Sequence, residues 1–124
     1  LVRDGGTLIL VTPCPEGVGP HPEYVAYLGR DDLDELLAKV DPTFISEGTD
    51  PLALPVAATV ARIRKRINLM LVSHGIDRLT AEKAGMEKVD SVEEAVSLAL
   101  ARYGPEAKIS VIPFGGEVLP IVEE

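Results

Sequence analysis

Three apolar runs divide the chain, and each stops at a loop of small, turn-forming residues. Leu8-Ile9-Leu10-Val11 runs into Thr12-Pro13-Cys14-Pro15-Glu16-Gly17-Val18-Gly19, and Leu69-Met70-Leu71-Val72 runs into Ser73-His74-Gly75. Ile109-Ser110-Val111-Ile112 runs into Pro113-Phe114-Gly115-Gly116. Helical patterns lie between the runs, which predicts buried parallel strands near residues 7–12, 67–72 and 108–112, joined by right-handed crossovers. Parallel strands present their carboxyl ends together, and ligands of such sheets sit in the crevice beyond them. The three loops are therefore expected on one edge, as a wall of a ligand site.

The intervening periodicity supplies the helices. Ser91 with Glu94 three residues on forms a capping-box pattern, Val92, Ala95, Val96, Ala99 and Tyr103 follow helical spacing, and Gly104-Pro105 stops the run. A helix over 32–40 carries Leu33, Leu36, Leu37 and Val40 on one face, with acids in its first turn and Pro42 beyond its end. Another starts near Pro55, with Val56, Val60, Ile63 and Ile67 as its expected buried stripe. Short helical pieces are expected over 77–84 and 24–28, a short extra strand over 86–89, and a loop from Thr43 to Leu54. Asp4-Gly5-Gly6 resembles a helix C-cap, which makes Leu1-Val2-Arg3 the expected last turn of a helix in a domain cut from a longer protein. The fold class predicted is α/β: a single Rossmann-like, doubly wound domain over residues 1–124, its mostly parallel sheet sandwiched by helices.

Composition narrows the function. The 124 residues are 46% hydrophobic, enough for a core without metal or disulfide, and suit one domain. Twenty acidic against twelve basic residues give a formal charge of −8, which argues against nucleic acid and anionic membranes as partners. The lone Cys14 rules out an internal disulfide and suggests a reducing, cytoplasmic setting. No apolar run reaches the roughly 20 residues of a membrane span.

The candidate cleft-lining residues are Thr12, Cys14, Glu16, Gly17, Gly19, Ser73, His74 and Gly115. The loop from Thr12 to Pro22 exceeds the about two to six residues usual for a strand-to-helix connection, and excess length there often means contact with a ligand or another domain. The competing reading is a proline-stiffened loop whose glycines only make turns. Gly17-x-Gly19 lacks a third glycine and a following helix start, and no Gly-Lys-Ser/Thr occurs, so neither standard nucleotide loop is present. Cys14 is either a thiol facing the crevice or a buried small residue. His74 either meets a ligand or caps a carbonyl, and His21 sits between two prolines. Two separated histidines and one cysteine form no metal set, so no catalytic or metal residue is assigned to this chain. Arg62, Arg64, Lys65 and Arg66 read as a solvated face or an interdomain contact at a helix C-terminus, in preference to an anion site.

Gly5-Gly6-Thr7-Leu8-Ile9-Leu10-Val11 followed by Cys14-Pro15-Glu16-Gly17-Val18-Gly19 resembles the C-terminal domain of the nickel-pincer lactate racemase family. Leu69–Ser73, Val92–Val96 and Ile109–Pro113 extend the resemblance over nearly the whole chain. The resemblance implies a parent enzyme that inverts the α-carbon of a 2-hydroxy acid, a nickel pincer nucleotide taking hydride and returning it to the other face. In that family the cofactor's lysine anchor, its nickel-ligating histidine and the catalytic histidine pair belong to the N-terminal domain, and no stretch here matches their motifs. The resemblance thus implies a cleft-closing domain that holds no cofactor, works with an N-terminal catalytic domain of the same chain and helps enclose a small hydroxy acid. This chain has no tryptophan, which lactate-specific members place near the substrate, and Pro20-His21-Pro22-Glu23-Tyr24 departs from the usual continuation, so lactate itself is not implied. A non-catalytic small-molecule-sensing or interaction module on the same scaffold is the competing reading. An independent hydrolase has no Gly-x-Ser-x-Gly elbow to support it.

Overall fold

The first strand, β1 (Thr7–Val11), leads through the long loop and two short helices, α1 (Glu23–Leu28) and α2 (Leu33–Lys39), to the longer α3 (Ala53–Arg64). Then follow β2 (Asn68–Val72), α4 (Arg78–Lys83), β3 (Glu87–Val89) and α5 (Val92–Tyr103). The computed structural model describes residues 1–21, 23–39, 52–119 and 121. The expected stop at Pro42 and most of the loop from Thr43 fall on residues 40–51, outside the described residues.

The three strands form one parallel sheet in the order β1-β2-β3, flanked by helices. Thr7 to Val11 pair with Asn68 to Val72, and Met70 to Val72 pair with Glu87 to Val89. Side chains alternate across the sheet, so Ile9, Met70, Val72 and Val89 share a face, and that face packs on Ala95 of α5. The second core lies among the other helices: Leu28, Leu33, Leu54, Ala57, Ala58, Ala61 and Ala84 are buried against one another.

The third strand is not the expected one. Residues 108–112 form no ladder among the described residues, and the short segment 87–89 takes the place beside β2. A β-branched run asks for a neighbour rather than making a strand alone. The α4 connection returns the chain directly to the edge of β2, whereas α5 ends against the amino end of β1. There the Tyr103 hydroxyl donates to the Gly5 carbonyl (2.6 Å), bonds Thr7 Oγ1 (2.8 Å) and accepts from Asn68 Nδ2 (3.1 Å).

Two further expectations are corrected. Residues 1–3 are not helical. Gly5, with φ +78°, makes the turn into β1 and donates its N–H to the Arg66 carbonyl (2.7 Å). On α3, which starts at Ala53 rather than Pro55, the buried face is Ala53, Leu54, Ala57, Ala58 and Ala61, while Val56 and Ile63 stay exposed. Alanines let α1 approach α3 closely, an option that the larger β-branched side chains deny, so packing distance outweighed hydrophobicity.

In the basic cluster Arg62, Lys65 and Arg66 are exposed and paired at the surface, while Arg64 is mostly buried against the end of α4. Arg62 and Lys65 reach Asp34 (2.6 and 4.0 Å), Arg66 reaches Asp4 (2.7 Å), and Arg64 donates to the Ala84 carbonyl at the end of α4 (3.0 Å). Exposed pairs of this kind contribute about 0–1 kcal/mol each.

Both later helices carry side-chain N-caps. Ser91 accepts from the Glu94 N–H (3.0 Å), while the Glu94 carboxylate reaches the N–H of Asp90 (2.9 Å), one residue before the cap. Asp77 accepts from the Thr80 N–H (2.7 Å), and that bond holds its carboxyl below the usual aspartate pKa. A depressed carboxyl stabilises the fold above its unfolded pKa of about 3.9. That contribution is lost as pH falls through the lower folded value. Asp77→Asn, which keeps an acceptor but cannot titrate, should therefore flatten this part of the acid limb in a pH series of urea midpoints. An unchanged acid limb would show that the cap carries no such linkage.

Candidate functional site

Two of the three expected loops meet at the carboxyl edge of the sheet, and backbone hydrogen bonds join them. The Thr12 N–H donates to the Val72 carbonyl (3.0 Å), extending the ladder one step beyond β1. The Gly75 N–H and the Ser73 hydroxyl both donate to the Pro13 carbonyl (2.9 and 3.3 Å). The approach is so close that a Cβ at Gly75 would overlap the Cys14 carbonyl oxygen and stand 3.0 Å from that of Pro13. Gly17 follows with φ +66°, its Cβ position 3.7 Å from the Gly75 oxygen.

Cys14 itself adopts φ +43°, a left-handed conformation that costs a non-glycine residue about 1–2 kcal/mol. Its carbonyl accepts from the Gly17 N–H (2.9 Å), and its sulfur lies 3.5 Å from Thr12 Oγ1. Such strain persists only where the surroundings over-determine it, and it concentrates at ligand sites and switches. The thiol is partly buried.

Thr12, Cys14, Gly17 and Ser73 are thus brought together, with His74 exposed beside Ser73 at the tip of the second loop. Glu16 and Gly19 are exposed on the outer part of the first loop, where the Gly19 N–H donates to the Glu16 carbonyl (3.3 Å). Gly115 does not join them. It sits in an exposed turn whose Glu117 N–H returns to the Phe114 carbonyl (2.8 Å), after a segment that forms no ladder with the sheet. His21 is exposed before α1, its carbonyl accepting from the Tyr24 N–H (3.0 Å).

Two basic side chains at this edge are absent from the sequence candidates. Lys88 Nζ donates to the Ser73 carbonyl (2.5 Å), and Arg78 donates to the carbonyl of Lys88 (3.2 Å). They put positive charge beside the crevice of a chain whose formal charge is −8. A lysine inside a short, apolar-poor strand was the available signal. Its value depended on knowing that 87–89 pairs with β2.

A separate depression of about 380 Å³ is lined by Val25, Ala26, Gly29, Arg30 and Lys83. Its guanidinium is held by Asp32 through two bonds of 2.7 and 2.6 Å, and none of the sequence candidates lines it. The sheet edge is the better candidate, because it joins the strained Cys14, the close backbone approach at Gly75 and the two basic side chains Lys88 and Arg78. Among the described residues no three His, Cys, Asp or Glu side chains gather to hold a metal ion, and no helix is long and apolar enough to cross a membrane.

Residues 1–120 match the family model of the lactate racemase C-terminal domain. A lactate racemase of Lactiplantibacillus plantarum is 30% identical over 114 residues, which make up 91% of this chain and 26% of that protein. The structure of the lactate racemase apoprotein from Thermoanaerobacterium thermosaccharolyticum shares the fold at a TM-score of 0.72 and 24% identity, covering 94% of this chain and 28% of that one. The chain spans about a quarter of the length of the relatives it matches.

Proposed function

The chain belongs to the lactate racemase C-terminal domain family, and on that premise we propose that it is the cleft-closing part of a racemase or epimerase of 2-hydroxy acids. The observation that carries the reading is the carboxyl edge, where the two loops are bonded together beside Lys88 and Arg78. A 2-hydroxy acid carries one carboxylate and one hydroxyl. Lys88 and Arg78 supply the field that attracts the carboxylate, and Thr12 and His74 supply hydrogen-bonding groups at the same edge. The loops, when closed over a facing domain, exclude water from the reacting carbon.

The family implies a nickel pincer nucleotide, whose chemistry is hydride acceptance from the substrate's α-carbon. The described residues do not fit a nickel centre, because no set of ligands converges among them. By the family resemblance, the cofactor and the proton-handling groups are assigned to the remainder of a racemase-length protein, which is also the partner this domain closes upon. The role of the present chain is substrate enclosure and orientation.

The test is interconversion of D- and L-2-hydroxy acids, followed by chiral chromatography, with metal analysis on the same samples. The full-length protein should turn over, and the 124-residue chain alone should neither turn over nor hold stoichiometric nickel. In the full-length protein Lys88→Ala should lower kcat/KM by roughly tenfold, the loss of about one charge-assisted contact. Turnover by the short chain would put the chemistry in the wrong half. A full-length protein inert towards every 2-hydroxy acid would leave the sensing or interaction module as the better reading.

A further inference from the structure

Beyond Gly104 the chain leaves the fold. Residues 105–119 contain no helix or strand, and their backbone hydrogen bonds are local: Ala107 to Gly104 and Glu117 to Phe114. The composition of this segment is not that of a solvated tail. Val111, Phe114, Leu119 and Ile121 are 82, 80, 86 and 84% exposed, and the charged residues among 105–121 are Glu106, Lys108 and Glu117. Disordered arms are rich in charge and poor in large aliphatic and aromatic side chains. This arm is the reverse.

Its turn is also constrained. Phe114 adopts φ +58°, a left-handed conformation that a bulky residue holds only when its surroundings impose it. Within the described residues nothing is packed against that turn to impose it: the phenyl ring is exposed, and Gly115 meets only the Ile112 carbonyl oxygen of its own turn.

From these observations we infer that residues 109–121 are a docking arm that seats its apolar side chains on the remaining part of a racemase-length polypeptide, tying the two halves together at a point away from the crevice. The inference rests on the reading that this chain is one domain of such a protein. Two observations single out this occupant. The relatives are about four times as long as the chain, since it covers 26 and 28% of them, while the family match runs through residue 120 and so includes the arm in the domain. The edge of β1 is the obvious seat within the domain, yet it stays unpaired. Leu8 and Leu10 are exposed there, and although Tyr103 brings the end of α5 to Gly5 and Thr7, the segment that follows forms no ladder with β1 among the described residues.

The test places the photoreactive residue benzoylphenylalanine at Phe114, and separately at Leu119, in the full-length protein. After irradiation, adducts are mapped by mass spectrometry on a mixture of light and heavy isotope-labelled protomers. Adducts at both positions should fall outside this chain, within the same polypeptide. Amides of 109–119 should also exchange at least a hundredfold more slowly than their intrinsic rates. Adducts to residues 1–104, adducts joining light to heavy protomers, or no adducts with unprotected amides would each overturn the inference. Racemase activity is read on the same samples. Adducts outside the chain in an inactive protein would uphold the arm and sink the catalytic reading, and an active protein with adducts confined to 1–104 would do the opposite.

Discussion

Gly75→Ala should destabilise the protein by roughly 3 kcal/mol or more, because the added methyl has nowhere to go. The atoms it meets are backbone carbonyl oxygens of Cys14 and Pro13, not the movable end of a side chain. Relief requires the two loops to part, which breaks the Gly75-to-Pro13 bond and releases Cys14 from its left-handed conformation. With a urea m-value of about 1–3 kcal/mol/M, the midpoint should fall by about 1 M or more. Gly19→Ala is the control. Its Cβ enters open space, so only the positive φ of +72° is charged against it, about 1–2 kcal/mol. Equal losses at the two positions would mean that the loops are not held together as described. On the function proposed above, Gly75→Ala in the full-length protein should also weaken substrate binding, because it parts the two loops assigned there to substrate enclosure.

Met70→Ala is the second large effect, with an expected cost of about 2–5 kcal/mol. Met70 has 0% exposure at the centre of the middle strand, between Ile9 and α5, and truncation leaves a cavity that a rigid sheet cannot close. Leu10→Ala, on the other face of the edge strand, removes a similar volume from a side chain that is 46% exposed. It should cost about 1 kcal/mol. Chemical denaturation of the two variants side by side is the measurement. A Met70 loss no greater than that at Leu10 would show that α5 is not seated on this face.

Much of this arrangement was legible in the residues. The runs at 8–11 and 69–72 are strands, parallel and adjacent as expected, although β1 at the sheet edge is not the buried strand expected, since Leu8, Leu10 and Val11 stay exposed. Ser91 and Gly104 marked the ends of α5 because capping chemistry is local. The extra strand over 86–89 was visible as well, as 87–89. What misled was hydrophobicity read without a partner. Ile109–Ile112 carries a strand signal as strong as the other two runs, and in the expected stripe Val60 and Ile67 do turn inward while Val56 and Ile63 yield their places to alanines. Both errors share a cause. Periodicity reports which face is apolar, while the neighbour's shape decides which apolar face is used.

The candidate site divides along the same line. That Thr12–Gly19 and Ser73–Gly75 end parallel strands, and therefore share an edge, followed from chain order and strand polarity alone. That Gly75 presses against the Cys14 carbonyl, that Lys88 reaches the Ser73 oxygen and that Gly115 stands apart did not. These depend on which strand lies beside β2 and where α5 releases the chain, and both are long-range choices. Local sequence specifies caps, turns and apolar periods because those energies act within a few residues. Strand order and loop juxtaposition come from burying faces that lie far apart in the chain, and here the weaker strand signal took the place beside β2 because the α4 connection returned it to that free edge.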